Sequence, residues 1–217
     1  KKPLHFHQAA NGSLTFASEL GALMQDVSIP GEVDPASLAE YLCLGYINSP
    51  RSIYRSVKKL EPGHRMVWRE GRLEIKRWWR LDYAQELVAP DQELEERLRF
   101  EVREAVRRRL IADVPLGAFL SGGVDSAIVV SQMAELMSEP VRTFTIGFDV
   151  EGYNETAGAR EVAERFGTDH TDLTVTPDAM EILPKLIRHF GEPYADSSAI
   201  PSFYLAEMTR RHVTVAL

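Results

Sequence analysis

Cysteine is almost missing from this sequence: Cys43 is the single one in 217 residues. One cysteine excludes an intrachain disulfide framework and suits a reducing compartment. It lies in Leu38-Ala39-Glu40-Tyr41-Leu42-Cys43-Leu44, a helix-like apolar segment, and reads as a small buried hydrophobe rather than a nucleophile. Long apolar runs are missing too. No stretch approaches the roughly 20 residues of a membrane-spanning helix, and Lys1-Lys2-Pro3-Leu4 leads into polar residues rather than the core of a signal peptide. Positive charge is in deficit: the net charge of −7 and pI near 5.4 argue against a general nucleic-acid binder. A globular protein of the cytoplasm is expected, with neither nucleic acid nor membrane as partner. The length suits one large domain or two small ones. The sequence begins without Met and stops in the apolar strand Val213-Thr214-Val215-Ala216-Leu217; buried strands rarely close a domain, so it reads as part of a longer chain.

What is present centres on Leu120-Ser121-Gly122-Gly123-Val124-Asp125-Ser126. The apolar run Leu116–Leu120 ends in a small polar loop, and Ile128, Val129, Met133 and Leu136 follow near helical spacing. The pattern predicts strand, tight turn and helix. Gly122 and Gly123 let the backbone approach a ligand and take angles closed to other residues. The first N–H groups of the helix lack partners and carry the positive end of its dipole, so phosphate or pyrophosphate suits the place. Ser121 and Ser126 add two hydroxyl donors. The Gly-Lys-Ser/Thr ending of the common P-loop is absent. Taken alone, the same residues also suit a helix N-cap after a glycine turn. The elbow spacing of serine hydrolases, Gly-x-Ser-x-Gly, is not met at its first glycine.

Along the chain, Leu4–Gln8 and Ser13–Ala17 are strand candidates around the turn Asn11-Gly12. His5 and His7 share a strand face; without a third ligand nearby they read as surface histidines rather than a metal site. Asp34-Pro35 opens a helix to about Gly45. Arg65–Arg69 and Arg72–Trp79 form a hairpin around Glu70-Gly71; its arginines and tryptophans suit a packed face and a solvated face better than base stacking. Residues 81–90 form a candidate linker between residues 1–80 and 91–217. A helix over Asp91–Ala112 carries the stripe Leu94, Leu98, Val102, Val106 and Leu110, with pairs Glu93–Arg97 and Glu95–Arg99.

From Leu116 strands and helices alternate: strand 116–120, helix 126–137, strand 141–148, helix 156–166 with Gly167 as C-cap, strand 171–175, helical segments 178–190 and 199–211, strand 213–217. This predicts a parallel, doubly wound α/β sheet. Ligands of such sheets bind at the carboxyl ends of the strands, here Ser121–Ser126, Phe148-Asp149 and Thr176. Pro184 predicts a break in its helix. In Glu192-Pro193-Tyr194-Ala195-Asp196-Ser197-Ser198, Asp196 or Ser197 caps the next helix, while Glu192 and Asp196 are also candidates to position Mg2+ or a substrate amine.

The SGGVDS loop resembles the pyrophosphate loop of N-type ATP pyrophosphatases. More widely, the chain resembles the glutamine-hydrolysing asparagine synthetase family: Lys1–Phe6 and Leu14–Leu20 are similar to the later part of its glutaminase domain, and Leu60–His64 through Trp78-Trp79 to that domain's closing hairpin. Thr143–Phe148, Glu155, Ala159-Arg160 and Gly167–His170 are similar to the segments after the loop. The resemblance implies the α+β tail of an N-terminal-nucleophile glutaminase domain at 1–80 and the start of an adenine-nucleotide α-hydrolase (PP-loop) domain at 91–217. It implies that ATP, Mg2+, glutamine or ammonia, and aspartate or another carboxylate are the small-molecule ligands, and that an acyl-adenylate forms with release of pyrophosphate. A homodimer is a candidate assembly. Ser121, Gly122, Gly123, Asp125 and Ser126 would hold pyrophosphate, Asp125 through Mg2+, because two anions in contact repel. Leu120 and Ile146 match positions that contact adenosine. The glutaminase cysteine and the catalytic lysine fall outside the sequence, so no catalytic residue is assigned within it. The segment EPYADSSAIP differs from strict asparagine synthetases and leaves the acceptor open. A β-lactam-forming synthetase and a non-catalytic nucleotide-binding scaffold are the alternatives.

Overall fold

The structure is a computed structural model that describes residues 2–84, 86–148, 155–176 and 178–217. Asp149, at the expected end of the second strand, and the linker residue Gln85 lie outside the described residues. Two compact units form, one from Lys1–Glu86 with Ala179–Ala199 and the other from Leu87–Asp178 with Ile200–Leu217. Residues 179–199, contiguous in sequence with the second unit, thus group with the first. Residues 81–84 and 86–90 contain no helix or strand.

In the first unit, β1 (His5–Gln8) pairs antiparallel with β2 (Leu14–Ala17). Asn11 Oδ1 accepts the Ser13 N–H in the turn, and Gly12 is left-handed there. Helix α1 (Leu20–Leu23) follows. Helix α2 (Pro35–Leu44) starts at Asp34, whose carboxylate accepts the Ala36 N–H, and stops at left-handed Gly45. The short strand β3 (Lys58–Lys59), which no apolar periodicity announces, completes the sheet order β2-β1-β3. β4 (His64–Arg69) and β5 (Arg72–Arg77) make the expected hairpin, with positive φ at both Glu70 and Gly71. Leu20, Leu23, Ile29, Ile47, Ile53 and Val57 form the core.

Three expectations are corrected in this unit. His5 is buried, not on the surface, and its Nδ1 lies 3.3 Å from the Ser18 carbonyl. Cys43 is exposed: α2 buries Ser37 against the unit and turns Leu38, Leu42 and Leu44 outward, so its apolar composition does not mark a core face.

The third correction concerns Pro184, which does not break its helix. Helix α6 runs unbroken over Ala179–Phe190. Ile182 and Leu186 are buried on one side while Pro184 is exposed on the other, so packing holds the helix through the proline.

The second unit opens with α3 (Asp91–Arg107), shorter than expected because the chain turns after Arg107. Its stripe packs unevenly: Val106 is buried and Leu98 exposed. Arg99 pairs with Glu95 at 2.6 Å, and Arg107 and Arg108 share Glu104, so those arginines are engaged within the helix. β6 (Leu116–Phe119), α4 (Val124–Leu136), β7 (Arg142–Phe148), α5 (Thr156–Phe166), β8 (Asp169–Val175), α7 (Ala199–Thr209) and β9 (Val215–Ala216) follow. The four strands are parallel in the order β8-β7-β6-β9. Val106, Ala118, Leu120, Val130, Met133, Val141, Ala159 and Ala163 form a core between the sheet and α3, α4 and α5. Phe144 turns to the other face and packs with Leu205, Met208 and Val213. Helices therefore cover both faces of the sheet, whose strand order reverses direction at β6. Among the described residues, no helix is long and apolar enough to cross a membrane.

Candidate nucleotide site

β6 lies between β7 and β9, with the chain leaving it toward β7 and returning later to its other side. Its carboxyl end is therefore the switch point of the sheet, where ligands of open α/β folds bind. Residues 121–123 occupy that point and lead directly into α4.

A hydroxyl cluster sets the shape of the loop. Ser126 Oγ accepts the Ser121 N–H at 3.1 Å and lies 2.8 Å from Ser121 Oγ. Ser121 Oγ in turn accepts the Gly123 N–H at 3.2 Å. The two hydroxyls thus brace each other, while the N–H groups of Gly122, Val124 and Asp125 have no acceptor among the described residues. The N-cap of α4 is Gly123, and no side chain caps the helix. A side-chain cap, the alternative reading of this serine-rich turn, is thereby excluded. Free amides at a helix start favour an anion.

Neither loop glycine uses the left-handed angles expected of it: Gly123 has φ of −83° and Gly122 is also outside that region. Space is what the glycine supplies. A Cβ on Gly122 would lie 3.3 Å from the Gly158 Cα in the first turn of α5.

Leu120 is buried just before the loop. Its N–H donates to the Phe144 carbonyl at 2.9 Å, and its own carbonyl accepts the buried Thr145 hydroxyl. Ile146 is half-buried in β7, opposite Leu173. Thr145 and Gly158 carry only faint signals in the sequence: a threonine within a strand and a glycine early in a helix.

Asp125 is exposed in the first turn of α4, and its carboxylate has no hydrogen bond or ion pair among the described residues. Among those residues no group of three or more His, Cys, Asp or Glu side chains converges to hold a metal. A single carboxylate beside free amides fits Mg2+, which takes one or two protein carboxylates and fills its remaining positions with phosphate oxygens and water.

Glu192 and Asp196 belong to the first unit. One Glu192 oxygen pairs with Lys59, and the other accepts the Ile53 N–H at 3.1 Å. Both oxygens are therefore engaged within that unit. Asp196 accepts the Ser198 N–H at 2.8 Å and the Tyr194 hydroxyl at 2.9 Å. The Ser198 bonds, and then Tyr194, hold its carboxyl below the usual range, and Asp196 raises the Tyr194 phenol. It shapes the turn before α7.

Two histidines are shifted. Burial lowers His5, partly offset by the nearby Glu192 carboxylate. Burial also lowers His170, against the pull of Asp172. His170 Nδ1 lies 2.9 Å from the Thr143 hydroxyl, while its Nε2 is buried without a partner among the described residues.

Comparison with known proteins gives two family matches. Residues 97–217 match the model described as asparagine synthase, and residues 1–79 the model described as glutamine amidotransferase domain. The chain is 35% identical over 225 residues to asparagine synthetase [glutamine-hydrolyzing] 1 of Bacillus subtilis, covering all of this chain and 34% of that protein. It is 32% identical to the putative asparagine synthetase [glutamine-hydrolyzing] 2 of Methanocaldococcus jannaschii, covering 100% of the chain and 42% of that protein. Amidase chyE of Penicillium rubens is 34% identical over 176 residues, covering 72% of the chain and 26% of that protein. The chain thus spans about a third of the length of the B. subtilis relative.

Proposed function

This chain belongs to the asparagine synthase family, and from that premise we propose that its full-length protein is an ATP-dependent amidotransferase that activates a carboxylate as an acyl-adenylate. Residues 1–80 are the later part of a glutaminase domain and 91–217 the start of the synthetase domain, joined by 81–90. The observation that carries the reading is the SGGVDS loop at the sheet's switch point, with free amides of Gly122, Val124 and Asp125 at an uncapped helix start.

In this mechanism the acceptor carboxylate attacks the α-phosphorus of ATP. The bond from that phosphorus to the bridging oxygen breaks, and the charge developing on pyrophosphate meets the loop amides. Ser121 and Ser126 keep those amides aimed by fixing the loop from inside. Asp125 would hold Mg2+, which when bound would neutralise phosphate charge. Leu120 and Ile146 border the adenosine, with the Leu120 backbone held by Phe144 and Thr145. Ammonia released from glutamine then displaces AMP: a C–N bond forms, the C–O bond to AMP breaks, and one proton of ammonia passes to solvent. AMP is a far better leaving group than the oxide of an unactivated carboxylate.

Aspartate is the leading acceptor, from the relatives' names. The test incubates full-length protein with ATP, Mg2+, ammonium and aspartate, and separates the products. AMP, pyrophosphate and asparagine are expected, all lost in Ser121→Ala and Asp125→Asn. AMP and pyrophosphate with another carboxylate alone would change the acceptor; ADP, or no turnover with any acceptor, would refute the reading.

A further inference from the structure

Resting on the nucleotide-loop reading above, we infer that Gly158 is a positioning residue for that loop, a role that comes from α5 rather than from the loop itself. An ideal Cβ on Gly158 would stand 3.0 Å from the Gly122 Cα, and one on Gly122 would stand 3.3 Å from the Gly158 Cα and 3.8 Å from the Glu155 carbonyl oxygen. Both residues lie outside the left-handed region, so what each glycine provides is room. The two backbones lie flush, and no flexible side chain stands between them to rotate away.

When a methyl group is added there, one partner must give. Helix α5 is the fixed one: Ala159 and Ala163 are fully or almost fully buried in the core beneath it, and Arg160 pairs with Asp172 on β8. The loop is the softer partner, since it is exposed at Gly122 and Gly123 and held by a few hydroxyl contacts. The atom displaced first is the Gly122 backbone, whose N–H is one of the free amides facing the nucleotide. Gly158 touches no ligand in this account; it sets where Gly122 stands.

The test compares Gly158→Ala and Gly158→Val with the parent in the full-length protein, reading the ATP·Mg2+ Kd by titration, the KM and kcat, and the thermal midpoint. A loop shift of a few tenths of an ångström is expected to raise Kd and KM for ATP about 3- to 10-fold in the alanine variant and more than about 10-fold in the valine variant. In Gly158→Ala, kcat at saturating ATP should fall as well, by less than about tenfold, because the displaced amide also meets the charge developing on pyrophosphate. A loss of packing alone would lower the midpoint and leave KM in place. Gly122→Ala combined with Gly158→Ala should be non-additive, because the two added methyls compete for one gap. An ATP Kd within twofold of the parent in Gly158→Ala, or additive effects in the double variant, would overturn the inference. A parent that binds ATP but releases ADP would refute the proposed reaction while the Kd comparison still decides the role of Gly158; a parent that binds no ATP would sink both.

Discussion

Replacing Glu192 separates a structural carboxylate from a metal ligand. The Glu192–Lys59 pair is largely removed from water, with side chains 15% and 12% exposed. Lys59 also donates to the Ile47 carbonyl at 2.9 Å, and Glu192 accepts the Ile53 amide at 3.1 Å. Glu192→Ala leaves an ammonium with one acceptor and an amide with none. Removing one partner of a buried pair costs about 3–5 kcal/mol, and orphaning a buried amide about 1–3 kcal/mol. These overlap, and both groups keep some water contact, so about 3 kcal/mol is expected. With a urea slope of about 2 kcal/mol per molar, the unfolding midpoint of the first unit falls by about 1.5 M. Glu192→Gln, which keeps an acceptor for Ile53, should fall by roughly half as much. The double variant Lys59→Met/Glu192→Leu should recover most of the loss, since an apolar pair of similar volume has no charge to desolvate. The KM for ATP and its Mg2+ dependence should stay within about twofold in Glu192→Gln. Unchanged stability with a lost Mg2+ response would refute this reasoning and return Glu192 to the metal.

Acid should weaken both units. His5 and His170 are held below the ordinary histidine value by burial, so the unfolded chain binds more protons than the folded one as pH drops. Their contribution is complete above about pH 6.5 and declines as pH falls through that value toward the lower folded ones. NMR titration should give midpoints below 6.5 for both rings, and urea midpoints should fall from pH 7.5 to 5.5; ring midpoints at or above 6.5 would contradict the burial. Cys43, exposed on α2, should react with a thiol reagent in the native full-length protein within minutes. Peptide mass spectrometry reads this directly, and protection until denaturant is added would contradict the orientation of α2.

Much of this fold is legible in the sequence because its signals are local. Asp34-Pro35 and Gly45 bound α2 through capping chemistry, Glu70-Gly71 forces a hairpin turn, and Thr156–Phe166 with Gly167 gives a helix with its stop. The loop between β6 and α4 stands out because an apolar strand gives way to small polar residues. What escaped the sequence depends on tertiary contact. Nothing local says that α2 exposes its leucines, that His5 is covered, or that the proline of α6 faces outward while Ile182 and Leu186 hold the helix. The site divides the same way: Ser121, Gly122, Asp125 and Ser126 are adjacent in sequence, whereas Thr145 and Gly158 join them only through strand pairing and helix packing. Glu192 reads as a ligand candidate because it is an acid in a loop near a proline, while its partners Lys59 and Ile53 lie far away in the chain and leave no local signal.

The central claim is that the loop releases pyrophosphate from ATP while a carboxylate is adenylated, and isotope exchange tests it most directly. Full-length protein is incubated with ATP, Mg2+, aspartate and labelled pyrophosphate, with no glutamine or ammonium. Reversible adenylation predicts label entering ATP only when a carboxylate acceptor is present, and no exchange in Ser121→Ala or Asp125→Asn. Absence of exchange with every carboxylate tried, or release of ADP and phosphate instead, would contradict the account.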